Sequence, residues 1–151
     1  MEKEKSRIQK KYENYLEQFP NIFSIVPNDV KEKSYAAQIK FIDALRVKDF
    51  FEKRPKGKSN AIYGKIIAQQ LGFDPKNGNT TLRNLMKILL KAYDYPILSC
   101  HSGYYIGNCR KEFKDFILSE TKRIQGMQNT VNAAQKILDR DFSSQWDFMQ
   151  R

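Results

Sequence analysis

The segment from Asn79 to Gly107 constrains the fold more than any other part of this sequence. Its first half, TTLRNLMKILLKAYD, places leucine and methionine at the spacing of an amphipathic helix, which Asn79 or Thr80 is expected to cap. Pro96 ends that helix, and YPILSCHSGYYIG then gives two short runs of β-forming residues around a turn at Gly103. The sequence therefore predicts a helix that passes directly into a β-hairpin.

Three helices and a short strand are predicted before this segment. Residues 2–18 and 30–52 place apolar side chains at helical spacing, and a break is expected near Arg46 because the apolar stripe rotates there. The run GKIIAQQLG predicts a third helix, which Gly72 ends. Residues 60–63 predict a short strand in front of that third helix.

A long helix is predicted after the hairpin, from Lys111 to Asp139. Positions that alternate by three and four residues form one heptad seam with a single polar member: Ile117, Glu120, Ile124, Met127, Val131, Ala134 and Leu138. About three heptads favour either packing within the chain, for example against the N-terminal helix, or a homodimer formed through this helix. The tail carries Trp146 and Phe148, which either dock onto the chain or anchor a partner protein.

These elements predict a mainly α-helical chain in four parts. Residues 1–40 form an N-terminal amphipathic helix and connector, and residues 41–109 form a domain of helices and a hairpin. Residues 110–140 form the C-terminal helix, and residues 141–151 form the tail. A chain of 151 residues can bury one substantial core, so residues 41–109 are expected to be the globular domain.

The charge balance indicates a polyanionic partner. The chain has 27 Lys and Arg against 17 Asp and Glu, a formal net charge of +10. Because 40% of the residues are hydrophobic, this charge belongs to a folded body and not to a disordered tail. Only two cysteines and no apolar leader predict a cytoplasmic protein, and no apolar run approaches the roughly 18 residues of a membrane span.

The helix pair GKIIAQQLG and TTLRNLMKILLKAYD has the order of a helix-turn-helix, whose second helix enters the major groove of duplex DNA. Arginine can fork onto guanine, asparagine can pair with adenine, and threonine or lysine can hold phosphates. Residues of the second helix predicted to contact DNA are Asn79, Thr80, Thr81, Arg83, Asn84 and Lys87. Residues predicted to contact DNA from the hairpin tip and the flanking loops are Lys56, Lys58, His101, Ser102 and Arg110.

The segment from Ile66 to Ile106 resembles the winged-helix domains of bacteriophage and prophage proteins. The resemblance rests on KIIAQQLGF, TLRNLMKILLKAYDYPILS and SGYYIG, in which a YPI turn leaves the recognition helix and a GYY run starts the second wing strand. It implies a winged helix-turn-helix with a small β-hairpin wing, which the long N- and C-terminal helices predicted above would flank. It also implies a phage or mobile-element protein that binds DNA in replication initiation or transcriptional control.

Winged helices also bind proteins, so the sequence leaves a second function open. In that alternative the chain is a phage-encoded factor that binds and modulates a host replication, transcription or defence protein. The residues predicted to contact a partner protein are Ile117, Ile124, Met127, Val131, Trp146 and Phe148.

Catalytic and metal-binding patterns are weak in this sequence. Cys100 and His101 point to opposite faces of a strand, and Cys109 lies beyond the far strand, so no metal site is predicted. Acidic residues are scattered, and neither a phosphate loop nor a nucleophile elbow is present. We therefore expect neither enzymatic activity nor a cofactor.

Overall fold

The computed structural model describes residues 6–21, 26–31 and 33–142, which are mainly helical. The chain divides into two compact units, residues 1–108 and residues 109–151. The helices are α1 (Arg7–Gln18), α2 (Asn28–Lys31), α3 (Tyr35–Glu52), α4 (Gly64–Leu71), α5 (Gly78–Ala92) and α6 (Arg110–Asp141). A 3-10 helix at Lys58–Asn60 precedes α4, and strands β1 (Ile97–Cys100) and β2 (Gly103–Ile106) follow α5.

The N-terminal helix α1 packs against α3 through a small aromatic core. Ser6 caps α1, because its hydroxyl oxygen accepts a hydrogen bond from the Gln9 amide at 3.1 Å. Buried members of this core come from α1, α3 and the segment before α2: Tyr12, Tyr15, Val26, Ile39 and Ile42. The helix predicted over residues 2–18 is confirmed within Arg7–Gln18, while residues 2–5 lie outside the described part of the chain.

The break predicted near Arg46 is wrong, because α3 runs without interruption from Tyr35 to Glu52. The helical stretch predicted over residues 30–52 is divided earlier, where the Ser34 hydroxyl accepts a hydrogen bond from the Ala37 amide and starts α3. The apolar stripe rotates because α3 serves two cores. Its first half packs against α1, and its second half packs against α4 and α5.

The second core joins α3, α4, α5 and the hairpin. The side chains of Leu82, Leu85, Met86 and Leu89 are buried along one face of α5. They belong to the same buried cluster as residues of α3, α4 and both strands: Ala44, Val47, Phe51, Ile67, Ala68, Ile97 and Ile106. The side chains on the opposite face of α5 are exposed.

The hairpin has the geometry that its sequence predicts. Strands β1 and β2 pair antiparallel, with Ile97 opposite Ile106 and Cys100 opposite Gly103. Gly103 has φ +116°, a left-handed conformation that other residues adopt only with strain. A separate β-bridge joins Ile62 to Tyr104.

The strand predicted over residues 60–63 is reduced to that single bridge. The reason is that Lys58–Asn60 forms a 3-10 helix, so the chain becomes extended only just before α4 begins. The Ile62 amide donates to the Tyr104 carbonyl at 2.9 Å, and the Tyr104 amide donates to the Ile62 carbonyl at 2.8 Å. These two hydrogen bonds hold the start of α4 against the hairpin.

The connection between α4 and α5 spans residues 72–77. Gly72 ends α4 in the left-handed conformation, with φ 73° and ψ 25°, as the sequence predicts. The prediction that Asn79 or Thr80 caps α5 is wrong, because α5 already begins at Gly78 with Asn77 at the N-cap position. Asn79 and Thr80 therefore belong to the first turn of α5.

A buried polar network links α1, α3 and α4. The Tyr15 hydroxyl donates to Asp43 Oδ1 at 2.9 Å, and the Arg46 guanidinium donates to the same oxygen at 3.2 Å. The other terminal nitrogen of Arg46 donates to the Leu71 carbonyl at the end of α4. Burial raises the pKa of Asp43, while the bonds from Tyr15 and Arg46 oppose that rise. Burial, followed by the nearby Asp43 carboxylate, raises the pKa of Tyr15.

The second unit is dominated by α6, a helix of 32 residues. Cys109 occupies its N-cap position in extended conformation. Every residue from 121 to 142 is exposed. No described helix combines the length and the apolar character needed to cross a membrane.

Candidate nucleic-acid interface

The solvent-facing side of α5 brings most of the predicted DNA-contacting residues of that helix together. Asn79, Arg83 and Lys87 follow one another at intervals of four residues and are all exposed, so they form one row along the helix. Thr80 and Asn84 are exposed beside this row. We call these five residues and the exposed Lys91 the polar face of α5: Asn79, Thr80, Arg83, Asn84, Lys87 and Lys91.

Thr81 differs from its neighbours on α5. It is half-buried, because a step of about 100° per residue turns it towards the flank of the helix and away from the row. Its backbone amide donates to the Asn77 carbonyl at 2.9 Å in the first turn. Thr81 therefore lies outside the polar face.

The polar face of α5 is basic and has no acidic member. The helix Gly78–Ala92 contains no Asp or Glu, and its basic residues are Arg83, Lys87 and Lys91. Within the described ranges, the ion pairs of the chain leave all three of these side chains out. Their positive charge is therefore available to an anionic partner, such as a phosphate backbone.

An open groove of about 570 Å³ lies beside the first turn of α5. Its polar walls include Asn79 and Arg83 of α5 and Lys65 from the first turn of α4. Its apolar walls include the exposed side chains of Tyr63 and Ile66. The groove thus combines two cations, an amide and two tyrosine rings, a set that suits the phosphates and sugars of a nucleic acid.

Two glycines allow close approaches in and near this groove. A Cβ on Gly64 would lie 3.2 Å from the Tyr104 ring, so the ring would have to shift by a few tenths of an ångström to admit a side chain. A Cβ on Gly103 would lie only 2.0 Å from the Ile62 carbonyl oxygen, a contact that the backbone cannot relieve locally. Gly64 therefore belongs to the groove wall, while Gly103 is required for the close approach of β2 to Ile62.

Lys65 is absent from the sequence-based set of DNA contacts. Its position at the start of α4, directly after Gly64, is visible in the sequence. Its place in one groove with Arg83 follows from the packing of α4 against α5, which joins residues 18 positions apart, and no local pattern reveals that packing.

Four other residues predicted to contact DNA lie at the two ends of the hairpin. His101 is exposed and Ser102 half-exposed at the turn between β1 and β2. Lys56 and Lys58 are exposed on either side of Gly57, whose amide donates to the Ile106 carbonyl at 2.8 Å. Because Ile106 is the last residue of β2, the two lysines lie at the base of the hairpin, about 10 Å along the strand from its tip.

The remaining predicted contacts belong to the second unit. Arg110 is the exposed first residue of α6. The side chains of Ile117, Ile124, Met127 and Val131 are between 59% and 66% exposed. Trp146 and Phe148, also predicted to contact a partner protein, lie outside the described residues.

Among the described residues, no group of three or more His, Cys, Asp or Glu side chains could hold a metal ion. Cys100 is half-buried at the end of β1, and Cys109 is exposed at the start of α6. Comparison with known proteins adds nothing to this geometry: no protein family, curated protein or solved structure matches the chain.

Proposed function

We propose that this chain is a non-enzymatic winged-helix protein of phage or mobile-element type that binds duplex DNA in replication initiation or transcriptional control. The observation that carries the proposal is the polar face of α5, which holds Asn79, Arg83 and Lys87 in one row without a carboxylate on the helix. This face has the side chains that read base edges and hold phosphates.

The surrounding elements support a winged helix. Helices α3, α4 and α5 precede the β1–β2 hairpin, and the bridge at Ile62 attaches the start of α4 to β2. In this arrangement α5 is the recognition helix and the hairpin is a short wing. His101 and Ser102 then contact the backbone from the wing tip, while Lys65 adds a phosphate contact beside Arg83.

The test is a salt series of binding to a fluorescein-labelled duplex of mixed sequence, about three helical turns long. Each phosphate contact contributes about 0.9 to the slope of log affinity against log salt, so Arg83→Ala/Lys87→Ala should flatten the slope by up to about 1.8. Affinity at low salt should fall with it, because the two cations face the phosphates directly.

The matched control is Lys33→Ala/Lys40→Ala, which also removes two positive charges from exposed positions. These two lysines line a different cavity, together with Ile88 and Tyr93. The control should retain most of the affinity and slope. Equal losses of affinity in both variants would show that binding depends on net charge alone. Unchanged affinity in Arg83→Ala/Lys87→Ala would refute the assignment of this face. Incubation of the DNA with magnesium or manganese should leave it uncleaved.

A second candidate function is a phage-encoded factor that binds a host replication, transcription or defence protein. The exposed apolar side chains of α6 favour it, since contiguous exposed apolar surface marks interaction sites. Capture of a host protein that survives nuclease treatment and is lost in Ile124→Asp would support this candidate over DNA binding. Capture that disappears with nuclease would support DNA binding instead.

A further inference from the structure

The apolar seam of α6 is exposed along its length. Ile117, Ile124, Met127 and Val131 are 59%, 65%, 66% and 59% exposed, and Leu138 is 44% exposed. A single helix gains little from propensity alone, and most helical stability in proteins comes from packing of an apolar face. The seam repeats at intervals of three and four residues over about three heptads, which is the spacing of a two-helix coiled coil.

The polar side chains of α6 leave this seam uncovered. Gln125 donates to Asn129 at 3.1 Å, Gln128 donates to Asn132 at 2.8 Å, and Gln135 donates to Asp139 at 2.8 Å. With Ile117, Ile124 and Val131 at heptad position a, these residues occupy positions b, e and f. These i to i+4 hydrogen bonds therefore stabilise the outer and flanking surfaces, while positions a and d face solvent.

Charge along the heptads distinguishes the two ways in which a second copy could pair. In a parallel, in-register dimer each a or d residue meets its own equivalent. Three layers would then oppose like charges: Arg110 with Arg110, Glu120 with Glu120, and Asp141 with Asp141. Like charges facing each other at the seam disfavour that pairing.

An antiparallel dimer removes all three conflicts when the two copies of α6 overlap over their whole length. Position a of one copy then meets position d of the other, and Arg110 meets Asp141, an opposite charge that also holds Arg140 of its own helix at 2.9 Å. Glu120 meets Val131, while its carboxylate keeps the Arg123 guanidinium of its own helix at 3.0 Å.

The same register matches side-chain size across the seam. Ile117 meets the small Ala134, and Ile124 meets Met127, so large residues face smaller or more adaptable ones. At the flanking positions Arg123 lies opposite Thr130, and Thr121 lies opposite Gln128. No layer of this register opposes two like charges.

From these charges and exposures we propose that α6 pairs with α6 of a second copy as an antiparallel coiled coil in which residues 110–141 overlap completely. The proposal is independent of DNA binding. It gives a rod about 48 Å long, in which the N-termini of the two α6 helices lie at opposite ends.

The first test measures mass in solution by light scattering after gel filtration at micromolar concentration. The 17.8 kDa chain should give twice its monomer mass. Ile124→Asp places a carboxylate in the seam and should raise the dimer Kd by about 100-fold or more. Gln125→Asp, one residue away on the outer surface, should leave the Kd nearly unchanged. A wild-type monomer, or equal effects of the two variants, would overturn the proposal.

The second test fixes the orientation with the protein's own cysteine. Cys100→Ala leaves the exposed Cys109 for spin labelling at the N-cap of α6. In the antiparallel register the two labelled positions lie about 50 Å apart along the rod, since 33 residues separate 109 from its opposite position 142. A parallel dimer would bring them within about 20 Å, roughly two helix diameters. A short distance, or no dipolar coupling in a sample that is dimeric by mass, would refute the antiparallel register.

Discussion

Removal of one buried hydroxyl, that of Tyr15, tests how the first unit is held together. Tyr15→Phe keeps the ring, which packs edge-on against Phe19 with centroids 5.8 Å apart. It removes the O–H group that donates to Asp43 Oδ1 at 2.9 Å. Asp43 then keeps only Arg46 as a described hydrogen-bond partner, at 3.2 Å.

The expected loss follows from the burial of Asp43, whose side chain is 5% exposed. A hydrogen bond to a charged group contributes about 1.5–3 kcal/mol, and loss of this donor leaves part of a buried carboxylate unsatisfied. We expect Tyr15→Phe to lower the free energy of unfolding by about 2 kcal/mol. With a urea dependence of about 2 kcal/mol per molar, the unfolding midpoint falls by about 1 M.

The measurement is urea unfolding followed by near-ultraviolet circular dichroism of the tyrosines. Tyr63→Phe is the matched control, because its side chain is 58% exposed, and it should change stability by no more than about 0.5 kcal/mol. Asp43→Ala, which removes the acceptor, and the double variant Tyr15→Phe/Asp43→Ala complete a mutant cycle. A midpoint for Tyr15→Phe within error of the wild type, or additive effects in the cycle, would refute the role given to this hydrogen bond.

Three further predictions concern single residues. Burial raises the pKa of Asp43, so between about pH 4 and that raised pKa the native state holds more protons than the unfolded chain. Stability relative to Asp43→Asn should therefore fall as pH rises through this window, and parallel pH profiles from urea unfolding would contradict it. Gly103→Ala should destabilise the first unit by about 3 kcal/mol or more, because φ is +116° and the new Cβ would lie 2.0 Å from the Ile62 carbonyl oxygen. A thermal unfolding midpoint equal to that of the wild type would exclude this strain. A Cβ at Gly126 would meet no atom within 4 Å, so Gly126→Ala should stabilise α6 through the higher helix propensity of alanine. Amide hydrogen exchange in α6 should slow by about two- to five-fold. Unchanged exchange would contradict this gain in helix propensity.

Local patterns in the sequence were sufficient for most of the helices and for the hairpin. The spacing of leucine and methionine gives α5, and β-forming residues around Gly103 give β1 and β2. These predictions succeed because backbone period and turn chemistry are set by residues a few positions apart. The polar face of α5 was predictable for the same reason, except for half-buried Thr81.

The apolar stripe of α3 required the tertiary structure for its interpretation. Its rotation near Arg46 resembles a helix break in the sequence, but it arises because α3 packs against α1 in its first half and against α4 and α5 in its second. A helix that serves two cores has no single apolar face. Periodicity alone therefore cannot distinguish it from two helices.

The sequence by itself determined the helix, the hairpin and the heptad seam, because each depends on spacing within one element. Only the tertiary structure decided which side chains of these elements share a groove and which are exposed. The packing of α4 against α5 places Lys65 in one groove with Arg83, through contacts between residues far apart in the chain. The seam of α6 is predicted from its heptad spacing, but the exposed fraction of its side chains is given only by the structure.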